Sequence, residues 1–318
     1  VNLVLYLDAN NALSYAGGAS PASGTVWYNL APISNTGNTA ANATLQGTAT
    51  YSNGALNFSG GSYVALSSNG LSNFTSGITL YSNAKLSSVG WADRIFDIGS
   101  GSPNNNIILT RFYNTDRLVV QVYNGTSTTA AESYYSNLGA GVVQTSVMTP
   151  YAAVLNGSTS VLYAGSSFAA VSGSYEVGAA ALPVNVTRTN DYIAKSNWAD
   201  GNSTMSVANS IIYAAPLTAS QMTALNTEMN RSFSAATLTV GTASNSTFSG
   251  MVRDGSGAIT LVKQGAGTLT LSGTNTYTGG TNMNAGAILV NSANALASSG
   301  AISFAGGTLQ YSANNTTD

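Results

Sequence analysis

Residues 261–290, LVKQGAGTLTLSGTNTYTGGTNMNAGAILV, constrain the fold more than any other stretch of this chain. Apolar and polar residues alternate there in short bursts, first Leu269 and Leu271, then Ile288 and Val290. Alternation of period two is the pattern of a half-buried strand, and the Gly and Asn residues between the bursts end each one. The bursts are too short and too regularly broken for an ordinary sandwich. They suit a solenoid, in which each coil supplies a short strand, a turn and a further strand stacked on the coil before it.

Residues at fixed offsets sharpen this reading. Leu261, Lys263, Gly265, Gly267, Thr268, Leu269, Leu271, Gly273, Asn275, Tyr277, Gly279, Thr281, Ala285, Gly286 and Leu289 form a dense pattern. In these positions the segment resembles the autotransporter-associated β-strand repeat. The flanks FSG at 248–250, DGSG at 254–257 and NSANAL at 291–296 extend the resemblance over about residues 236–318. It implies a short right-handed parallel β-helix and the passenger region of a secreted or surface-displayed bacterial protein.

Charge and composition bound the rest of the chain. Its 318 residues are enough for two domains. Charged residues make up 6%, against about 25% in ordinary soluble domains. Solvation therefore falls to Ser, Thr, Asn and Gly, and the electrostatic defence against self-association is weak. Neither cysteine nor histidine occurs. That removes disulfides, thiolate metal sites and the commonest general base. The net charge is −2 and basic runs are absent, which argues against a nucleic-acid partner. No apolar run approaches the length of a transmembrane helix. The opening residues VNLVLYLDANN alternate like a strand and lack the basic flank of a signal peptide. Because the chain also starts without Met, it reads as a piece of something longer.

Upstream of the solenoid, residues 1–217 carry many short strand patterns separated by turn residues. They include Leu3–Leu7, Ile78–Leu86, Arg94–Ile98, Ile107–Phe112, Leu118–Tyr123, Gln144–Met148 and Val207–Tyr213. Such a procession predicts a β-sandwich or jelly roll. One helix is predicted over 217–233, with Met222, Leu225, Met229 and Phe233 on one face and a capping box between Thr218 and Gln221. The segments LVLYLDANN at 3–11, TVWYNL at 25–30, LNFSGGSYV at 56–64, IFDIG at 95–99, NDYIAKSNW at 190–198 and IIYAAPLT at 211–218 resemble the concanavalin A-like, laminin-G-type domain. Asn29 and Ser59 are neutral where that family is usually acidic, which weakens any inherited calcium or sugar binding. The expected organisation is an all-β chain: a concanavalin A-like jelly-roll sandwich at 1–233 with one C-terminal helix, then the β-helix segment at 234–318.

Candidate chemistry is sparse. The eleven carboxylates are scattered, and nothing matches the closely spaced acid pair that glycosidases place across a cleft. Glu132, Glu176 and Glu228 are isolated, so a polysaccharide hydrolase is the weaker alternative and a non-enzymatic protein is expected. Two WAD tripeptides recur, Trp91 to Asp93 and Trp198 to Asp200. A Trp beside an Asp can stack a sugar ring and accept its hydroxyl protons, so Trp91, Asp93, Trp198 and Asp200 are the candidate ligand-binding residues. The competing reading is core packing of both indoles, with Asp93 or Asp97 paired to Arg94. Tyr113, Tyr123, Tyr134, Tyr135 and Tyr151 are candidates for a sticky aromatic surface, against ordinary strand packing. Asp8, with Asn10 and Asn11, is a candidate calcium ligand, against a plain Asx-turn. No other cofactor is implied.

Two partners follow from this reading. One is a surface glycan held by a lectin-like sandwich, which makes the chain an adhesive or structural passenger. The other is a second copy, joined by strand addition at the open solenoid end into a filament.

Overall fold

The computed structural model describes residues 2–32, 41–66, 71–87, 93–135, 142–157, 159–171, 173–175, 182–230, 236–254, 257–296 and 300–315, with backbone alone for 127–135, 171 and 173–175. The chain is all-β with one helix, and it divides into two compact units, Val1–Asn230 and Arg231–Asp318.

The first unit is a sandwich of two antiparallel sheets. One sheet runs in the order Ala169–Val171, Thr159–Ala164, Thr149–Asn156, Ile78–Leu86, Met205–Tyr213, Ala55–Phe58, Thr50–Ser52. Leu3–Asp8 shares an edge of Met205–Tyr213 with Ala55–Phe58: Leu3 to Asp8 lie against 209–213, and Leu56 to Phe58 against 205–207. The other sheet runs Gly173–Tyr175, Ser127–Tyr135, Leu118–Asn124, Ile107–Arg111, Arg94–Gly99, Asn190–Ile193, Tyr63–Ala65, Ala43–Gln46, Val26–Trp27.

Period-two patterning sets the core. Ile78, Leu80, Tyr151, Ala153, Val207 and Ile212 point inward from the first sheet. Phe96, Ile98, Ile107, Leu109, Leu118, Val120 and Val122 meet them from the second. The alternate residues Tyr81, Ala152, Val154 and Ile211 form a separate apolar layer on the outer face of the first sheet. The helix Ala219–Met229 covers that layer with Met222, while Leu225 and Met229 pack at its margin. Thr218 and Gln221 form the expected capping box, satisfying backbone N–H groups that the first helical turn leaves without partners. Phe233 lies outside the described residues.

Two strand expectations are corrected. Residues 144–148 are irregular, with bends at 145–147, and the ladder starts only at Thr149. The Gln144 N–H is satisfied by the Tyr151 hydroxyl at 2.8 Å instead of by a neighbouring strand. Ser127–Tyr135 is a strand that the sequence pattern does not announce. Asn29 shows why a neutral residue stands there. Its Oδ1 accepts the N–H of Tyr6 (2.8 Å) and Ala31 (3.0 Å), while its Nδ2 donates to the Val4 carbonyl at 3.0 Å. An ionised Asp has no proton to donate to Val4.

The second unit is a parallel β-solenoid of about three turns. Ala236–Val240, Ile259–Lys263, Thr281–Met283 and Ile302–Phe304 form one sheet; Ser246–Phe248, Thr268–Leu271, Ala287–Val290 and Thr308–Tyr311 form the other. Leu269, Ile288 and Leu309 stack in register, as do Leu271, Val290 and Tyr311. Leu261, Leu269, Leu271, Tyr277, Met283, Ile288 and Val290 make the core between the sheets. Two polar residues of the repeat pattern stitch the coils together. Asn275, 2% exposed, accepts the Val252 N–H at 2.7 Å and donates its amide to the Ala295 carbonyl. Lys263, 1% exposed, donates its Nζ to the carbonyls of Gln264 (2.6 Å), Gly265 (2.8 Å) and Ala285 (3.2 Å). Gly267 lets one coil lie on the next, since a Cβ there would overlap the Ser244 carbonyl. The outermost rungs leave Leu238 and Phe248 at one end, and Ile302, Phe304 and Tyr311 at the other, more than a third exposed.

Candidate functional site

The outer face of the second sheet carries the site. Asn190–Ile193 ends at Ala194, whose φ is +63°, and the chain folds back as a short hairpin closed by a bridge between Lys195 and Asn202. Gly201, at φ +87°, allows the return. This hairpin presents Trp198, Ala199 and Asp200. Asp97, fully buried beneath it, fixes its geometry. The Asn197 N–H donates to Asp97 Oδ2 at 2.8 Å, and the side-chain amides of Asn197 (2.8 Å) and Asn106 (2.9 Å) donate to Oδ1. Burial raises the Asp97 pKa, and these hydrogen bonds together with Arg94 oppose that rise.

Arg94 is the hub. Its Nε lies 3.5 Å from Asp97 Oδ2, its Nη1 donates to Thr110 Oγ1 at 3.0 Å, and its Nη2 to Asp200 Oδ2 at 3.2 Å. The guanidinium sits 5.3 Å from the centre of the Trp198 ring, a cation–π contact. Tyr123 packs on the same indole, with centroids 5.4 Å apart at 54°. The outward residues of Leu118–Asn124 (Val119, Gln121 and Tyr123) join Thr110, Arg111, Phe112, Tyr113 and the hairpin tip around a cleft of about 380 Å³. Tyr113 stands at its rim, 48% exposed, with its backbone at φ +49°.

The structure therefore brings Trp198 and Asp200 together on one cleft. Asp93 does not line it. Asp93 is 4% exposed and its Oδ2 lies 3.3 Å from Arg111 Nη2, although the geometry there is that of an ion pair rather than a directed hydrogen bond. Burial raises its pKa, against Arg111 and Arg94. Trp91 lies outside the described residues, as do Glu176 and the side chains of Glu132, Tyr134 and Tyr135; Tyr151 is buried in the core, and Glu228 is exposed on the helix. Asp8 makes an Asx-turn, its Oδ1 accepting the Asn10 N–H at 2.9 Å, and its Oδ2 takes the Tyr6 hydroxyl at 3.3 Å. Among the described residues no three carboxylates converge as a metal cluster. The sequence reading named Arg94 only as an ion-pair partner of Asp93 or Asp97, and it missed Thr110 and Gln121. Only the alternation of Gln121 and Tyr123 with inward Val120 and Val122 pointed to them.

Beside the cleft, on the Asn190–Ile193 strand, Asp191 is buried with Oδ1 accepting the Gly99 N–H at 3.1 Å. Desolvation pushes its carboxyl up to about 7 against the attraction of Arg188. Arg188 is itself fully buried, and desolvation lowers it to about 10; its guanidinium donates to the carbonyls of Asn105, Leu71, Ser72, Val186 and Val184.

Residues 261–290 match the Passenger-associated-transport-repeat family. No curated protein matches the chain. Among solved structures, a sialidase of Trypanosoma rangeli with a covalently bound 2,3-difluorosialic acid aligns at 17% identity and a TM-score of 0.46, covering 70% of this chain and 32% of the sialidase. The chain thus spans about a third of that enzyme. Domain 4 of a GH43 extracellular arabinanase from Geobacillus stearothermophilus, solved with arabinotriose, aligns at 18% identity and a TM-score of 0.48, covering 70% of this chain and 98% of that domain. The CBM40 domain of a Ruminococcus gnavus sialidase, bound to α2,3-sialyllactose, aligns at 12% identity and 0.39, covering 48% and 82%. No helix among the described residues is long and apolar enough to cross a membrane.

Proposed function

We propose that the chain is a non-enzymatic segment of a secreted or surface-displayed bacterial passenger protein, whose sandwich binds a glycan in the Trp198 cleft. One observation carries this reading: an indole and two tyrosines surround a cleft that also holds two guanidinium groups, a carboxylate, an amide and a hydroxyl. Sugars offer flat C–H faces to aromatic rings and hydroxyls to planar polar groups, and small-ligand sites combine such walls with a few fixed polar atoms. The passenger part rests on the repeat match at 261–290. The non-enzymatic part rests on charge. Glycoside hydrolysis uses two carboxyl groups flanking the bond, whereas among the described residues Asp200 is the one carboxylate lining this cleft, and it is paired with Arg94.

The test is a glycan array with the full chain, followed by titration calorimetry of the strongest binder with the wild type and with Trp198→Ala. Loss of binding in a variant that keeps its near-UV circular dichroism is expected. Binding that survives Trp198→Ala unchanged would place the ligand elsewhere. A second reading, filament growth by strand addition between solenoid ends, is favoured by exposed Ile302, Phe304 and Tyr311 on one end rung and Leu238 and Phe248 on the other. Light scattering and electron microscopy separate it: a monodisperse monomer at high concentration, without fibres, rules it out.

A further inference from the structure

We infer that the Trp198 cleft takes a neutral oligosaccharide and discriminates against sugars bearing a carboxylate, an inference that rests on the glycan-binding reading above. A carboxylated sugar is held by charge-assisted hydrogen bonds from a cation whose N–H groups are still available to it. The cleft's two cations are already committed. Arg94, 6% exposed, spends Nη2 on Asp200 and Nη1 on Thr110, keeps its buried Nε beside Asp97, and sits over the Trp198 ring. Arg111, 3% exposed, donates Nη2 to the Ser87 carbonyl and pairs it with Asp93, while its Nε, without a hydrogen-bond partner, is buried out of reach of a ligand. Three carboxylates therefore face two guanidinium groups. The nearest other cation in the hairpin, Lys195, does not line the cleft; its Nζ sits 4.1 and 4.4 Å from the ring centres of Tyr63 and Tyr192.

An incoming carboxylate would have to displace Asp200 from Arg94 or add a further negative charge beside it. Like charge placed in a partly desolvated site is disfavoured, and an interface excludes wrong partners in this way. A neutral sugar meets no such opposition. Its ring faces can lie on Trp198 and Tyr113, and the Asp200 carboxylate has oxygens that accept hydroxyl protons.

The experiment compares matched glycans, the same neutral oligosaccharide with and without a terminal sialic or uronic acid, by calorimetry on the full chain. The neutral form should bind at least about tenfold tighter, and its affinity should be nearly flat between about 50 and 500 mM salt, because no net charge is neutralised on binding. In Asp200→Asn, the Arg94 Nη2 group loses its anion and the gap between the two forms should narrow. An acidic form that binds equally or more tightly, or an affinity that falls steeply with salt, overturns this inference while leaving glycan binding intact. Binding of neither form removes the glycan reading and this inference with it. If Asp200→Asn does not fold, the wild-type comparison alone decides.

Discussion

Replacing Asp191 with Asn should change how the sandwich responds to pH. The Asp191 side chain is almost fully enclosed, with Oδ1 bonded to the Gly99 N–H and Oδ2 without a hydrogen-bond partner. Burial lifts its pKa from 3.8 to about 7. The folded value lies above the unfolded one, so over this window the native state keeps a proton that the unfolded chain has released. The stability tied to that proton is complete below the unfolded pKa and is lost as pH rises toward the folded pKa. Each pKa unit corresponds to about 1.4 kcal/mol, so the two units between pH 5 and 7 set a ceiling of about 2.7 kcal/mol. Local relaxation and water penetration around a buried carboxylate reduce this, and about 1–2 kcal/mol is expected. Asn cannot ionise and can still accept from Gly99, so the variant should lack this loss. Urea unfolding at pH 5 and pH 8, followed by tryptophan fluorescence, measures it. All three tryptophans, at 27, 91 and 198, fall in the first unit, and Trp27 is fully buried, so the signal reports the sandwich alone. Asp8, Asp93 and Asp97 are also raised by burial, but both proteins share them, and subtraction removes their effect apart from the repulsion between Asp191 and Asp97. Equal losses in wild type and variant between pH 5 and 8 would refute the reasoning.

Two further substitutions probe the solenoid. Asn275→Leu strands the Val252 N–H and the Ala295 carbonyl, each worth about 1–3 kcal/mol when buried without a partner; amide exchange at Val252 should accelerate markedly, and unchanged protection would show that the side chain is dispensable. Lys263→Met leaves three carbonyls without their common donor and should destabilise the solenoid by about 1–3 kcal/mol, seen as a lower far-UV melting transition with the tryptophan transition unmoved.

The solenoid was legible because the alternation and turn residues of 261–290 can be read within one short window, although the stacking partners, such as Leu269 and Ile288, lie a coil apart. The helix was legible for the same reason, through Thr218 and Gln221. Residues 144–148 misled because Val143 and Val147 bracket a segment that alternates like a strand, whereas a side-chain hydroxyl, that of Tyr151, takes the Gln144 N–H in place of a strand partner. The twin WAD tripeptides show the same limit in the site. Asp200 reaches the cleft and Asp93 goes inward, and what separates them is Arg111, whose position relative to Asp93 depends on strand pairing. Arg94 acts as a hub only once Thr110 and Asp200, 16 and 106 residues away, are folded around it. No short window of sequence contains that.

Among the described residues, the solenoid's strands have neighbours on both sides only in its middle coils, Ile259–Lys263 with Thr281–Met283 and Thr268–Leu271 with Ala287–Val290. In a stack whose coils touch only their nearest neighbours, stability scales with the number of interfaces, while the penalty for fraying is set by the two ends and does not grow. Each additional coil of the same kind would turn a former end rung into an interior one. Ile302, Phe304 and Tyr311 would then gain an apolar neighbour. Such a fold can be lengthened by duplication at little risk, and its mechanical strength under tension would lie in its centre, with its outermost rungs the first to peel.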